Sequence, residues 1–143
     1  MKKQKVESAG AVVYFISKGK LVYLILKHIK IGGHWGFPKG RREKGETELE
    51  NAKREVLEET NINDIIYDRK FKEILKYFFS IEDTLYEKTV SYFLAESSES
   101  NVKLSEEHIE FFWGRFEDIL KKLGKSSDKE VLIKANRYLK NKI

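Results

Sequence analysis

Three glutamates at helical spacing follow a glycine-flanked loop, and this arrangement constrains the fold more than any other part of the chain. Glu55, Glu58 and Glu59 stand at positions i, i+3 and i+4, so on an α-helix they share one face. Like charges at this spacing destabilise an isolated helix by about 0.2–0.5 kcal/mol per pair. A divalent cation such as Mg²⁺, which prefers oxygen ligands, would offset that repulsion. The segment therefore predicts a helix that carries a metal site.

Local signals mark both ends of this helix. Thr47 and Glu50 have the spacing of a capping box, which predicts that the helix begins at Glu48. Asn61 stands where a left-handed cap residue is expected, and asparagine tolerates positive φ better than most other non-glycine residues. We therefore predict a helix over Glu48–Thr60.

One face of the predicted helix is apolar. Leu49, Ala52 and Val56 recur at i, i+3 and i+7, so this face can dock on a core and leave the glutamates beside the contact. Arg54 lies four residues before Glu58 and can hold that side chain in place. A run of glutamate, lysine and arginine is usually only a solvated helix face. The docking face and the arginine favour the metal site instead.

Composition limits the classes of protein that the chain can belong to. Its 143 residues predict a single domain over 1–143. No apolar run approaches the roughly 20 residues of a membrane span, so no membrane role is expected. The lack of cysteine excludes disulfides and thiolate metal sites and agrees with a cytoplasmic location. A net charge of +5 suits polyanionic ligands, namely nucleotides or nucleic acid, and no obligate protein partner is evident.

The remaining elements follow from β-branched and aromatic runs. We predict strands at Val6–Ile16, Lys20–Ile29, Phe71–Ile81, Tyr86–Glu96 and Ile109–Gly114, and closing helices at Phe116–Leu123 and Ser127–Lys140. Ser17-Lys18-Gly19-Lys20 has the composition of a hairpin turn. Together these elements predict the α+β class, with a mixed β-sheet between helices.

The loop and the helix together resemble the Nudix box, the signature of Nudix hydrolases. The matching residues are Gly40, Glu46, Arg54-Glu55-Val56, Glu58-Glu59 and Ile62. The late glycine of the pattern is replaced by Asn61. This resemblance implies a Nudix-type α/β/α sandwich that binds Mg²⁺ or Mn²⁺ and hydrolyses a diphosphate linked to another group. It also implies that Gly40 and Glu46 shape the box, and that the metal ligands include Glu55, Glu58, Glu59 and the backbone carbonyl of Lys39.

Three segments outside the box resemble the branch of this family that hydrolyses diadenosine tetraphosphate asymmetrically. They are His34-Trp35-Gly36-Phe37-Pro38-Lys39-Gly40, Lys88-Thr89-Val90, and Leu104-Ser105-Glu106-Glu107-His108 followed by Trp113. This resemblance implies that Glu107 is a metal ligand or a base, and that the substrate-binding residues are His34, Lys39, Tyr77 and Lys88. Without the resemblance, the segment around Glu107 is an ordinary polar loop and Tyr77 is one more strand aromatic. Leu123 occupies the position where some members carry a second stacking aromatic.

The resemblance implies hydrolysis of a dinucleoside tetraphosphate to a nucleoside triphosphate and a monophosphate. It gives the catalytic residues as Arg54, Glu58, Glu59 and Glu107. Two other functions stay open: a pyrophosphohydrolase for nucleoside triphosphates or RNA 5′ ends, and a non-catalytic nucleotide-binding module. The complete set of glutamates argues against the module. Pro38 is the only proline, whereas ADP-ribose-cleaving relatives carry one further downstream, so ADP-ribose is not expected as a substrate.

Overall fold

The structure, a computed structural model, describes residues 2–29 and 31–142. Over these ranges the chain forms one seven-stranded sheet, three α-helices and a short 3₁₀ turn, Ile31–Gly33. The strands are β1 (Lys2–Ser17), β2 (Lys20–His28), β3 (Trp35–Gly36), β4 (Lys39–Arg41), β5 (Ile65–Ile81), β6 (Thr84–Ser97) and β7 (His108–Gly114). The helices are α1 (Glu48–Thr60), α2 (Phe116–Lys122) and α3 (Ser126–Lys142).

The sheet is mixed, and β1 lies at its centre. The main strand order is β3-β2-β1-β6-β5, while β4 pairs with β1 and β7 pairs with β2. β1 runs parallel to β6, and the other pairs are antiparallel. The first half of β1 pairs with β4 at Ser8–Gly10, and its end pairs with β2. β4, which leads into the Nudix-like box, is therefore anchored on the central strand.

Each face of the sheet has its own hydrophobic core. On one face, α1 packs through Val56 against residues that include Ala11 and Leu24. On the other face, α2 and α3 pack on β1 and β2, and the fully buried Tyr23 donates a hydrogen bond to Asn136 Oδ1 at 2.7 Å. Full burial of a side chain such as Val56 contributes about 1.5–3 kcal/mol. Helices on both faces confirm the predicted α/β/α sandwich.

The first hairpin turn matches its prediction. Lys18 and Gly19 both have positive φ, 51° and 77°, and Ser17 pairs with Lys20 across the turn. Two successive left-handed residues give a two-residue loop whose twist matches that of the flanking strands. None of the described helices combines the length and the apolar character needed to cross a bilayer.

Several element boundaries differ from the predictions for identifiable reasons. β1 begins at Lys2 rather than at Val6, because its polar first residues pair in parallel with β6 from Thr84 onward. β5 begins at Ile65 rather than at Phe71, and a register shift between Asp68 and Lys72 hides the alternation of its first residues.

The other differences are smaller. β3 and β4 are too short to give a periodic pattern, and no strand was predicted at either place. β2 ends at His28, one residue early, and α2 ends at Lys122, while α3 extends beyond its predicted limits at both ends.

Candidate active site

Two glycines allow the box loop to lie close to its neighbours. A methyl group on Gly40 would come within 2.1 Å of the Glu55 carboxyl group, so only glycine lets this carboxylate lie against β4. A methyl group on Gly10 would come within 2.0 Å of the Pro38 carbonyl oxygen, so β4 could not pair closely with β1. The glycine that belongs to the box pattern thus makes room for one of the proposed metal ligands.

Helix α1 has the boundaries and caps that its sequence predicts. The Thr47 side chain accepts from the Glu50 amide, and the Glu50 side chain accepts from the Thr47 amide, so the capping box is complete. Asn61 has φ 59° and ψ 21°, and its Nδ2 donates to the Lys103 carbonyl at 2.8 Å. Asparagine can therefore replace the late glycine, because it adopts the left-handed conformation and gains a hydrogen bond.

Arg54 connects the box loop with the glutamate turn. Its Nε and Nη2 donate to the two carboxylate oxygens of Glu46, at 2.6 and 3.0 Å. Its Nη1 donates to Glu55 at 2.7 Å and to Glu58 at 3.3 Å, and Nη2 also donates to the Arg41 carbonyl at 2.7 Å. Hydrogen bonds from Arg54 lower the pKa of Glu46 to about 2. Because all five donor directions meet protein acceptors, these contacts favour a positioning role for Arg54.

The three glutamates of α1 occupy different environments. The Glu58 side chain is 54% exposed, whereas that of Glu59 is only 5% exposed. Glu59 accepts a hydrogen bond from the Lys39 amide at 3.2 Å, and His108 Nε2 lies 3.9 Å from the same oxygen. Burial raises the pKa of Glu59, and the nearby Glu55 carboxylate raises it further. Burial also raises the pKa of Glu55. A cation bound beside these carboxylates would therefore offset the cost of burying their negative charge.

The carboxylates fit a divalent metal, although they do not form a finished cage. Within the two described ranges, no three histidine, aspartate or glutamate side chains stand close enough to enclose an ion. Arg54 draws Glu55 and Glu58 to one side, while Glu59 points to the Lys39 amide. Mg²⁺ and Mn²⁺ prefer carboxylate oxygens as ligands. The carboxyl group of Glu59 is buried and its pKa is raised, so a bound cation would stabilise its charged form.

A cavity of about 730 Å³ brings most of the predicted site residues together. Five glutamates line it, and we call four of them the glutamate wall: Glu55, Glu58, Glu59 and Glu107; the fifth is Glu106. It is also lined by three lysines that we call the lysine wall: Lys39, Lys88 and Lys125. Gly40 and His34 lie on the same surface, whereas the cavity lining does not include Arg54, Glu46, Asn61 or Tyr77. Tyr77 lies next to it, because Lys88 Nζ and Lys125 Nζ are 5.9 and 6.0 Å from the centre of its ring.

The lysine wall concentrates positive charge in a partly buried place. Burial, together with the charges of Lys39, Lys125 and Arg41, lowers the pKa of Lys88 to about 8. Burial and the charge of Lys125 likewise lower the pKa of Lys39. A bound polyanion would relieve this repulsion, so the wall has the electrostatics of a phosphate site.

Comparison with known proteins decides the family. A model of the NUDIX domain matches residues 5–135, which is most of the chain. The chain belongs to the Nudix family. The resemblance predicted from the box is thereby confirmed.

Relatives of this Nudix protein include two functional types. An asymmetrical bis(5′-nucleosyl)-tetraphosphatase of Caenorhabditis elegans is 35% identical over 123 residues, which cover 81% of this chain and 83% of the relative. An RNA pyrophosphohydrolase of Helicobacter pylori is 34% identical over 108 residues, covering 69% and 70% of the two chains. The crystal structure of a C. elegans Ap4A hydrolase binary complex superposes with a TM-score of 0.85 at 32% identity, covering 95% of this chain and 98% of that one.

The sequence patterns do not identify several residues that line the cavity of this Nudix domain. Lys125 and Asp128 come from the connection between α2 and α3 and from the first turn of α3, where they read as an ordinary helix start. His28 and His108 meet edge to face, with ring centres 5.0 Å apart. With His34, these are all three histidines of the chain, and each lines the cavity. No sequence pattern links them, because they lie on different elements that only the folded sheet brings together.

Proposed function

We propose that this Nudix protein hydrolyses dinucleoside tetraphosphates asymmetrically, with Mg²⁺ or Mn²⁺ as cofactor. Diadenosine tetraphosphate would then give ATP and AMP. The observation that carries the proposal is a single cavity in which the glutamate wall and the lysine wall stand together, with Tyr77 beside them. The similarity to an asymmetrical tetraphosphatase over four-fifths of the chain supports the same substrate class.

The glutamate wall would hold the metal and prepare the attacking water. Its carboxylates, with the backbone carbonyl of Lys39, are the proposed ligands, and bound Mg²⁺ or Mn²⁺ supplies charge neutralisation to the phosphate oxygens. Glu58, Glu59 and Glu107, which all line the cavity, are the proposed candidates for taking a proton from water. Arg54 keeps Glu55 and Glu58 in place through its hydrogen bonds.

The lysine wall would bind the polyphosphate, and Tyr77 would hold a base. Lys39 and Lys88 are partly buried cations with lowered pKa, so phosphate contacts would stabilise their charged forms. His34 lines the same cavity and is the proposed third phosphate contact. Tyr77 is half-buried with two lysines near its ring, which suits a base that stacks on it while its phosphates reach those lysines.

A second candidate function is removal of pyrophosphate from nucleoside triphosphates or from RNA 5′ ends. The Helicobacter pylori relative and the net charge of +5 favour it. Both reactions need the same metal and phosphate site, so they differ in what lies beyond the phosphates. A cytoplasmic location stays a prediction.

A substrate panel with product identification tests the proposal. The pure protein is incubated with diadenosine tetraphosphate, ATP or a 5′-triphosphorylated RNA oligonucleotide, with Mg²⁺, with Mn²⁺ or with EDTA. We expect equal amounts of ATP and AMP from the first substrate, and no turnover in EDTA. The Glu58→Gln variant serves as the control for contaminating hydrolases.

Each other outcome has a distinct meaning. Two molecules of ADP would contradict asymmetric cleavage. Pyrophosphate release from the RNA, without cleavage of the dinucleotide, would favour the second candidate. Nucleotide binding without any product under both metals would indicate a non-catalytic module.

A further inference from the structure

Asp128 is a buried carboxylate that faces the cavity and has few partners. The residue is 5% exposed and lies in the first turn of α3. In the part of the chain that the structure describes, its only hydrogen bond comes from the Tyr92 hydroxyl, 3.4 Å from Oδ1. Its second oxygen, Oδ2, lies beside Gly36, which also lines the cavity. A desolvated carboxylate with one long hydrogen bond is costly, so a further donor would stabilise it.

The neighbouring lysines do not form ion pairs with the Asp128 carboxylate. Lys39 and Lys125 act on Asp128 electrostatically, yet neither forms an ion pair with it within 4.0 Å. A negative charge here weakens the attraction of the lysine wall for phosphate. A carboxylate retained in a polyphosphate cavity therefore fits a part of the ligand that is neutral and donates hydrogen bonds.

In a nucleotide at neutral pH, such donors occur only on the base and on the sugar. The phosphates carry negative charge and offer acceptors alone. Asp128 also lies close enough to Tyr77, the proposed base-stacking residue, to influence its pKa. We propose that Asp128 is a specificity-determining residue that accepts a hydrogen bond from an N–H or O–H group of the bound nucleoside. This inference rests on the proposed function, because it requires that the cavity binds a nucleotide.

Binding measurements with and without a nucleoside test the proposal. Dissociation constants for ATP and for inorganic tripolyphosphate are measured with Mg²⁺ by calorimetry, for the wild type and for Asp128→Asn. We expect the variant to bind ATP about tenfold more weakly, because the amide keeps one acceptor oxygen but lacks the charge that strengthens the hydrogen bond. Tripolyphosphate should bind the variant equally or more tightly, because a repulsive charge is gone. Asp118→Asn, the same change at an exposed position of α2, is the matched control and should alter neither constant.

Two outcomes overturn the proposal. Equal weakening of ATP and tripolyphosphate would mean that Asp128 only positions the lysines. Unchanged affinity for both ligands would mean that the carboxylate meets no substrate donor.

Ligand analogues test the same contact in the wild-type protein, so the test stands even if Asp128→Asn fails to fold. The analogues are 2′-deoxy-ATP, 3′-deoxy-ATP and purine riboside triphosphate, which lacks the 6-amino group. One of them should bind the wild type about tenfold more weakly than ATP does. The analogue that does so tells whether the donor is on the sugar or on the base. Equal binding of all three and ATP would refute the contact.

The outcome is separable from that of the proposed function. ATP is a product of the proposed reaction, so its binding is measured without turnover; if the substrate panel shows that ATP is hydrolysed, its α,β-methylene analogue replaces it. If diadenosine tetraphosphate is not cleaved but the analogues discriminate, only the proposed reaction fails. If cleavage occurs and the analogues bind alike, only the role of Asp128 fails.

Discussion

The two walls of the cavity differ in how the chain builds them. Three of the four residues of the glutamate wall come from one turn and a half of α1. The lysine wall draws Lys39 from β4, Lys88 from β6 and Lys125 from the segment before α3. One wall is thus a local motif, while the other exists only when distant elements have come together.

In both walls, burial and like charges shift pKa values toward the neutral form, upward for the buried glutamates and downward for the partly buried lysines. Burial and like charges raise the pKa of Glu59 and lower that of Lys88, so each wall is least stable when fully charged and alone. A metal ion would satisfy the first wall and a polyphosphate the second. Changes in the glutamate wall should therefore affect the chemical step, and changes in the lysine wall should affect substrate affinity.

The largest effect is expected for Glu58→Gln. The substitution keeps the size of the side chain and removes a charged ligand, so kcat should fall by about 10²- to 10⁴-fold while the fold remains. Steady-state kinetics with diadenosine tetraphosphate, together with a thermal melt, measures both. A rise in KM with unchanged kcat would break the division between the two walls.

Arg54→Lys should have the next largest effect. Lysine keeps the charge but cannot make the forked contacts with Glu46, Glu55 and Glu58. Loss of partners that orient metal ligands typically costs 10- to 100-fold, so we expect a fall of roughly that size in kcat or in metal affinity. Titration of activity with Mn²⁺ separates the two effects. Arg137→Lys on the exposed face of α3 is the control, and a similar loss there would discredit the interpretation.

Lys88→Gln should raise KM about tenfold and leave kcat nearly unchanged, because a contact between an ammonium group and phosphate is lost. The pKa of Lys88 is lowered to about 8, and phosphate binds its protonated form. In the wild type, kcat/KM should therefore have its highest value below pH 8 and decline as pH rises through that value. The variant should lack this decline. A decline that persists unchanged would assign it to another group, and Lys20→Gln at the first hairpin turn controls for a general change in charge.

The smallest effect is expected at Asn61, which lies outside both walls. Asn61→Ala forces a left-handed conformation on alanine and removes the bond to the Lys103 carbonyl, so it should lower the free energy of unfolding by about 1–2 kcal/mol. Asn61→Gly, which restores the family pattern, should cost less. Urea denaturation measures both, and kcat should not change. An equal loss in both variants would show that the hydrogen bond, rather than the backbone conformation, matters.

The same contrast explains what the sequence could and could not predict. The bounds of α1, its caps and its glutamates follow from signals within 15 residues, and the structure reproduces the helix over Glu48–Thr60. β3 and β4 are only two and three residues long, so their sequences are too short to show the alternation of a strand. Lys39 and Lys88 were found through family resemblance. Lys125 and Asp128 were not found, because their place in the cavity depends on how α3 packs against the sheet.

The central position of β1 has a consequence for the order of folding. Lys39 stands opposite Gly10, and Lys88 stands opposite Val6, so one strand holds two of the three lysines. The pairing of β1 with β6 joins segments that are far apart in the chain, and closing such a long loop slows folding. A nascent chain that has made the carboxylate helix but not yet β6 would have Lys39 in place and would still lack Lys88 and Lys125. Competence for hydrolysis should arise late and in a single cooperative step.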